Sequence, residues 1–288
     1  FIKSLLNISV LVFPIASMFA VGLSFSLKQI AKPFHYPDRV FRALVANFVL
    51  VPLLALGISR LLALDPALEA GMILVGTAAG APFLLKLTNA ANADVSLSAS
   101  LLVLLMPITV FYMPLVVPLL IENASINAIS IAIPLILTML LPLIIGHCID
   151  SFLPALAVRL VPIANKTSTI ALLVIIVSTL ILNASLFWDL GIGAIIAIVL
   201  LTAGGFGMGY LLSSSGFNRR AVMGLGAGQR NIAAALVVAS QDFKDPKTLA
   251  MVVLFSVIDL MVLFPIAFIL RQRASNYPNV NQKEKDNG

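Results

Sequence analysis

The sequence predicts an all-α, polytopic membrane protein built from two inverted repeats with two broken, crossing helices, and three observations carry that prediction. Of 288 residues, 60% are hydrophobic and 10% charged, with a mean hydropathy of +1.09, whereas roughly a quarter of a soluble domain is charged. The apolar runs are long enough to cross a hydrocarbon core, which takes about 20 residues at about 1.5 Å each. They lack the alternation of membrane β-strands. Two of them, 71–89 (GMILVGTAAGAPFLLKLTN) and 224–239 (GLGAGQRNIAAALVVA), combine clustered glycines with a cation, and matched interruptions of this kind mark broken helices beside a binding site.

Nine spans follow in order. The first, 5–27, runs into Lys28 and Lys32; the second, 41–63, starts beside Arg39 and Arg42. The third, 70–90, is interrupted at Gly76, Gly80 and Pro82, while the fourth and fifth, 96–120 and 127–148, are plain. A divider, 150–166, carries Arg159 and Lys166. The sixth and seventh, 167–188 and 191–213, are plain; the eighth, 221–241, follows Arg219 and Arg220 and is interrupted at Gly224, Gly226 and Gly228. The ninth, 248–270, lies between Lys244/Lys247 and Arg271/Arg273.

Counting Lys and Arg between spans puts twelve on one face and four on the other, the bias of cytoplasmic loops. A multi-pass protein of the cell inner (plasma) membrane is expected, with a cytoplasmic C-terminus and Phe1 outside. The interrupted spans are third and eighth, an odd number apart, so the two repeats cross in opposite senses. Completing five plus five requires one further helix before Phe1. The expected division is 1–148 for the first repeat without its first helix, plus a connecting helix; 149–166 for a cytoplasmic connection; 167–273 for the second repeat; and 274–288 for a disordered polar tail.

The net charge of +6 arises in short loops and the tail, not on a soluble face, so nucleic acid is not an expected partner. The single cysteine, Cys148, excludes an internal disulfide and a thiolate cluster. No metal and no cofactor are expected.

The chemistry falls on intramembrane polar groups. Arg230 lies about 15 Å along a helix from Arg219/Arg220, and Asp259 sits eleven residues into the last span, so both lie near the midplane. A charge there costs about 2.5–3.5 kcal/mol or more. Two readings offset it: an Arg230–Asp259 ion pair, or an Arg230 that faces a cavity and receives an anion, with Asp259 as counter-ion or proton carrier. Lys86 follows the first interruption as Arg230 follows the second, so two cations at half-helix N-termini would make an anion site; alternatively Lys86 snorkels to the headgroups. Gln229, Asn231 and Thr77 are candidate substrate hydrogen-bonders, and Asn47 and Ser98 candidate ion-coupling groups. Gly22, Gly204, Gly205, Gly207 and Gly209 sit on helices expected to slide, or simply to pack closely.

The runs MFAVGLSFSLKQI (18–30), ILVG (73–76), GxGxGQRNIAAAL (224–236) and LFSVID (254–259) together resemble the bile acid:sodium symporter family. The resemblance implies ten helices in two inverted five-helix repeats, with a panel domain and a core domain whose broken helices cross at the substrate and sodium sites. It also implies altered sodium sites. Leu84 and Leu85 stand where the family has a Ser-Asn pair, and Gly224 where it has a glutamate. Asn47 replaces a glutamine, Ser98 matches a hydroxyl ligand and Leu102 replaces another. The expected function is a secondary transporter, not an enzyme, moving a small organic anion by alternating access without sodium coupling. The alternatives are a sodium-coupled symporter of bile-acid-like or other organic anions and a non-transporting membrane sensor; the coupling ion is H+ or Na+.

Overall fold

The computed structural model describes residues 2–24, 36–121, 127–182, 190–214 and 216–276, with side chains to 274. The expected Lys28, Lys32 and most of the polar tail lie outside the described residues. Within them the chain is helical, with no strand.

Helix α1 spans Ile2–Gly22 and α2 spans Pro37–Leu61. A π turn at Ala46–Leu50 interrupts α2 where Val51 N–H donates back to Ala46. Its cause is Pro52, which has no N–H to offer the carbonyls of Asn47 and Phe48. Asp65 and Pro66 start α3 (Pro66–Thr77), with the Asp65 carboxylate accepting from Ala67 N at 3.0 Å. After a break comes α4 (Leu84–Ala90), then α5 (Val95–Leu120), capped by Asp94. Asn127 caps α6, Ala128–Phe152.

Helix α7 (Pro154–Leu182) follows after Leu153 alone. The expected connection 149–166 is therefore not a loop but the end of one helix and the start of the next, because Pro154 both ends α6 and occupies the first position of α7. Then come α8 (Gly191–Leu212), α9 (Phe217–Gly228), α10 (Ile232–Asp242) and α11 (Pro246–Asn276). Among the described residues, eight helices are long and apolar enough to cross a membrane, counting α9 with α10 as one. The α3–α4 pair forms the expected interrupted third span.

Two groups of helices result. Helix α1 packs chiefly on α6 and α7, and the remaining helices pack chiefly on one another. The α9–α10 span is the deepest element, with 94% of its apolar window buried against 17% for α7. Glycines set the approach inside each group. A methyl on Gly146 would stand 2.5 Å from the Phe19 carbonyl of α1, and one on Gly22 would meet the Leu143 carbonyl of α6. Gly205 and Gly209 likewise press against the backbone of α9, and Gly204 against Leu54. These glycines lie at contacts within groups, so the reading of close packing holds for them; Gly207 touches nothing within reach.

Candidate functional site

The interruptions fall slightly beyond most of the glycines expected to cause them. Gly76 stays inside α3, and Gly224, Gly226 and Gly228 stay inside α9, where their missing side chains admit Ala55, Phe206, Leu101 and Leu263. The chain opens instead at 78–83 and at 229–231. Only Gly80 of this set needs its backbone freedom: its φ is +75°, and a methyl there would come within 2.7 Å of Met106 N.

The two openings cross and are tied together. Asn231 N–H donates to the Ala78 carbonyl at 2.9 Å. The Asn231 amide donates to Gly80 O at 3.0 Å while its Oδ1 caps α10 by accepting from Ala234 N at 3.2 Å. From α5, the Thr109 hydroxyl donates to Ala79 O at 2.9 Å and accepts from Ala79 N at 3.1 Å. Backbone freed by one break is thus satisfied by the other break and by α5, as a dry interior demands.

Arg230 fills the crossing and is 1% exposed. Its guanidinium donates to Val75 O (3.1 Å) and Gly76 O (2.6 Å) in the last turn of α3, and to Ala227 O (3.4 Å) in the last turn of α9. It also donates to Asn47 Oδ1 (3.1 Å) and Asn47 O (3.4 Å) on α2. The Asn47 carbonyl is free for this because of Pro52; the neighbouring Phe48 carbonyl accepts from the Tyr112 hydroxyl for the same reason. A guanidinium has five N–H donors. All five contacts above go to protein oxygens.

This geometry corrects two expectations. Arg230 was to sit at a half-helix N-terminus and reinforce an anion site, but its charge lies against two half-helix C-termini, where each dipole presents about −0.5 charge. Arg230 was also to face a cavity, yet it is 1% exposed and does not line the cavity of about 650 Å³ beside Arg39 and Asp94. Its ordering has an energetic reason: charge-assisted hydrogen bonds contribute about 1.5–3 kcal/mol each, enough in number to offset a desolvation cost of several kcal/mol.

The other candidates are not gathered with it. Lys86 is exposed, its ammonium 5.0 Å from the Phe83 ring centroid. No Arg230–Asp259 ion pair forms among the described residues. Asp259, 1% exposed, accepts instead from the Thr202 hydroxyl of α8 at 3.2 Å. Thr77 spends its hydroxyl on Ile73 O and Leu74 O, and Ser98 on Val95 O. Gln229 is 5% exposed beside the crossing, and its Oε1 has no hydrogen-bond partner. Sequence reasoning missed Thr109 and Tyr112, the two side chains of α5 that satisfy loosened backbone; nothing in their neighbourhood distinguishes them from ordinary packing residues.

The profile of the Sodium Bile acid symporter family matches residues 11–190. Relatives include the "Probable sodium/metabolite cotransporter BASS1, chloroplastic" of Arabidopsis thaliana, 24% identical over 81% of this chain and 59% of that protein. The "Probable sodium/metabolite cotransporter BASS3, chloroplastic" of the same plant is 26% identical over 68% of this chain and 46% of its own length. The chain thus spans about half the length of these relatives. A match covering more than half of the chain, on a fold of membrane-spanning helices with two opened and crossing, shows that it belongs to the sodium bile acid symporter family.

Proposed function

We propose that the chain is a secondary transporter that moves a small organic anion by alternating access, without sodium coupling. The observation that carries this reading is the Arg230 guanidinium, held at the crossing by carbonyls of α2, α3 and α9. Clustered carbonyl oxygens facing two helix C-termini are a site for a cation. Here a tethered cation takes it. Arg230 takes carbonyls that an exchangeable ion would need, and no carboxylate stands at Gly224 to recruit one.

Gln229, whose unpartnered Oε1 can accept a hydrogen bond, is the side chain beside the crossing with spare capacity for a substrate hydroxyl or N–H rather than for its anionic group, and Asp259 with Thr202 is the pair for proton coupling. Arg230 serves the site by its field and by holding the crossing, not by direct contact with the anion. The protein would lie in the plasma membrane with its C-terminus in the cytoplasm, as two inverted repeats. The names of the relatives favour a second reading, sodium-coupled cotransport of a metabolite.

Uptake of a panel of small carboxylates by proteoliposomes, with sodium and pH gradients imposed separately, decides between them. The expected result is uptake that follows the pH gradient, is indifferent to replacing sodium by choline, and is abolished in Arg230→Gln. Sodium-stimulated uptake, or full uptake by the variant, overturns the proposal.

A further inference from the structure

Lys86 takes no part in the crossing, and the packing of α11 decides what stands beside it instead. Helix α11 runs along the α3–α4 span in one register. At its start Lys247 donates to Asp65 at 2.8 Å and the Thr248 hydroxyl to Ala67 O at 3.0 Å. Farther on, a methyl on Gly71 would stand 2.8 Å from Met251 Cβ, and past the break the Phe264 ring meets the Phe83 ring edge-on with centroids 5.9 Å apart. Continued by one turn, this register sets Lys86 level with Ala267 and Phe268; continued by a second, it sets Ala90 level with Arg271. Lys86 and Arg271 therefore stand on neighbouring helices about 6 Å apart along the axis.

The face they share is apolar toward the middle of the span and basic toward its end. Phe83, Phe264 and the half-exposed Phe268 form the apolar part; Lys86, Asn89 and Arg271, all exposed, form the basic part. Neither cation has an ion pair, and the Asn89 amide has no hydrogen bond, among the described residues. Lys86 meets only the Phe83 ring, 5.0 Å from its centroid, and a ring face replaces just part of an ammonium's hydration. The carboxylates nearest in sequence are engaged elsewhere: Asp94 caps α5 through Leu97 N at 3.1 Å, and Asp259 is buried against Thr202. Cations in a groove between helices, bordering exposed apolar surface at the end of a span, complement a lipid headgroup and its chain.

We infer that the α4–α11 face is a binding site for one anionic phospholipid. Its phosphate lies between the Lys86 ammonium and the Arg271 guanidinium, with the Asn89 amide donating to it, and an acyl chain covers Phe83, Phe264 and Phe268. A zwitterionic headgroup would bring its own ammonium against the two cations, and a free phosphate would leave the rings uncovered. The site requires neither flux nor any coupling ion.

Native mass spectrometry of the full chain, titrated in detergent with dioleoylphosphatidylglycerol or dioleoylphosphatidylcholine, tests it. The first phosphatidylglycerol is expected to bind at least about tenfold more tightly than phosphatidylcholine, and to be weakened about tenfold by the Lys86→Gln/Arg271→Gln pair. It should be unaffected by Arg159→Gln/Lys166→Gln, a pair of exposed cations on α7. Equal affinity for the two lipids, unchanged binding by the folded Lys86/Arg271 variant, or an equal loss in the α7 variant overturns the assignment, the last because any basic surface would then serve. If the Lys86/Arg271 variant does not elute as a single species, the unaltered chain decides. In proteoliposomes, phosphatidylglycerol with a diazirine in its acyl chain should label the peptides bearing Phe83 and Phe264–Phe268, and excess phosphatidylglycerol but not phosphatidylcholine should suppress that labelling. Labelling only elsewhere, or equal suppression by both lipids, overturns it. Displacement of the lipid by glycerol 3-phosphate assigns the cations to a soluble phosphate, and a dimer that forms as lipid is removed assigns the face to a second copy; either result overturns the lipid. Failure here leaves the transport proposal standing, and sodium-coupled uptake leaves this site standing.

Discussion

Arg230 illustrates how one residue's role turns on where its donors end. Its depth and charge are legible in the sequence, because any guanidinium ten residues from a basic loop must lie near the midplane. Its partners are not, because four of the five acceptor contacts are backbone carbonyls that only an opened or π-turned helix exposes. Asn231 acts beside it in two directions, capping α10 and holding the Gly80 carbonyl. Replacing Asn231 by Ala removes a cap, about 0.5–2 kcal/mol, and leaves a buried carbonyl short of a donor, about 1–3 kcal/mol. Asn231→Ala should therefore lower stability by about 2–4 kcal/mol in denaturant unfolding of the detergent-solubilised protein. An unchanged midpoint would mean that the crossing is held by other contacts.

At the scale of elements, prolines and caps decide where helices open or join. Pro52 frees the two carbonyls that Arg230 and Tyr112 take, and Pro154 joins α6 to α7 almost without a loop, where the run of charges made a longer connection the expected form. Glycine clusters located both interrupted spans, and Gly80 and Pro82 fall among the opened residues 78–83, whereas Gly76, Gly224, Gly226 and Gly228 are retained for space and stay helical. Outside the membrane, Lys247 at the start of α11 donates to Asp65 at the start of α3 at 2.8 Å, and this hydrogen bond holds the Asp65 carboxyl below its usual range. A group depressed in the folded state stabilises above its unfolded pKa and loses that contribution as pH falls through the folded value. The tie is therefore complete at neutral pH and fades below about pH 4. Lys247→Met should lower stability slightly at pH 7, by the few tenths of a kcal/mol that an exposed pair supplies, and the difference from the parent protein should shrink as pH falls below about 4. A difference that stays constant as the pH falls would assign the effect to packing of the lysine stem instead.

The whole molecule behaves as two groups meeting along a seam. Met18 of α1, Met106 of α5 and Met139 of α6 line a small apolar gap there, and unbranched methionine side chains can repack as surfaces shift. The proposed alternating access would place motion at this seam, with the glycine contacts on either side joining helices that move together. In a Cys148→Ser background, cysteines at 18 and 106 joined by a short bifunctional thiol reagent should stop uptake, with recovery when a cleavable reagent is reduced. Undiminished uptake with complete cross-linking would place the moving surface elsewhere.

Membrane residence, the apolar spans and the presence of two interrupted ones follow from composition, run length and glycine clustering, because the hydrocarbon core imposes one length and admits no charge without a reason. Which acceptors the intramembrane arginine meets was decided only by the fold. A buried donor takes whichever acceptors the crossing chains bring to it, and those acceptors are main-chain oxygens, identical at every residue and therefore silent until the helices open against one another.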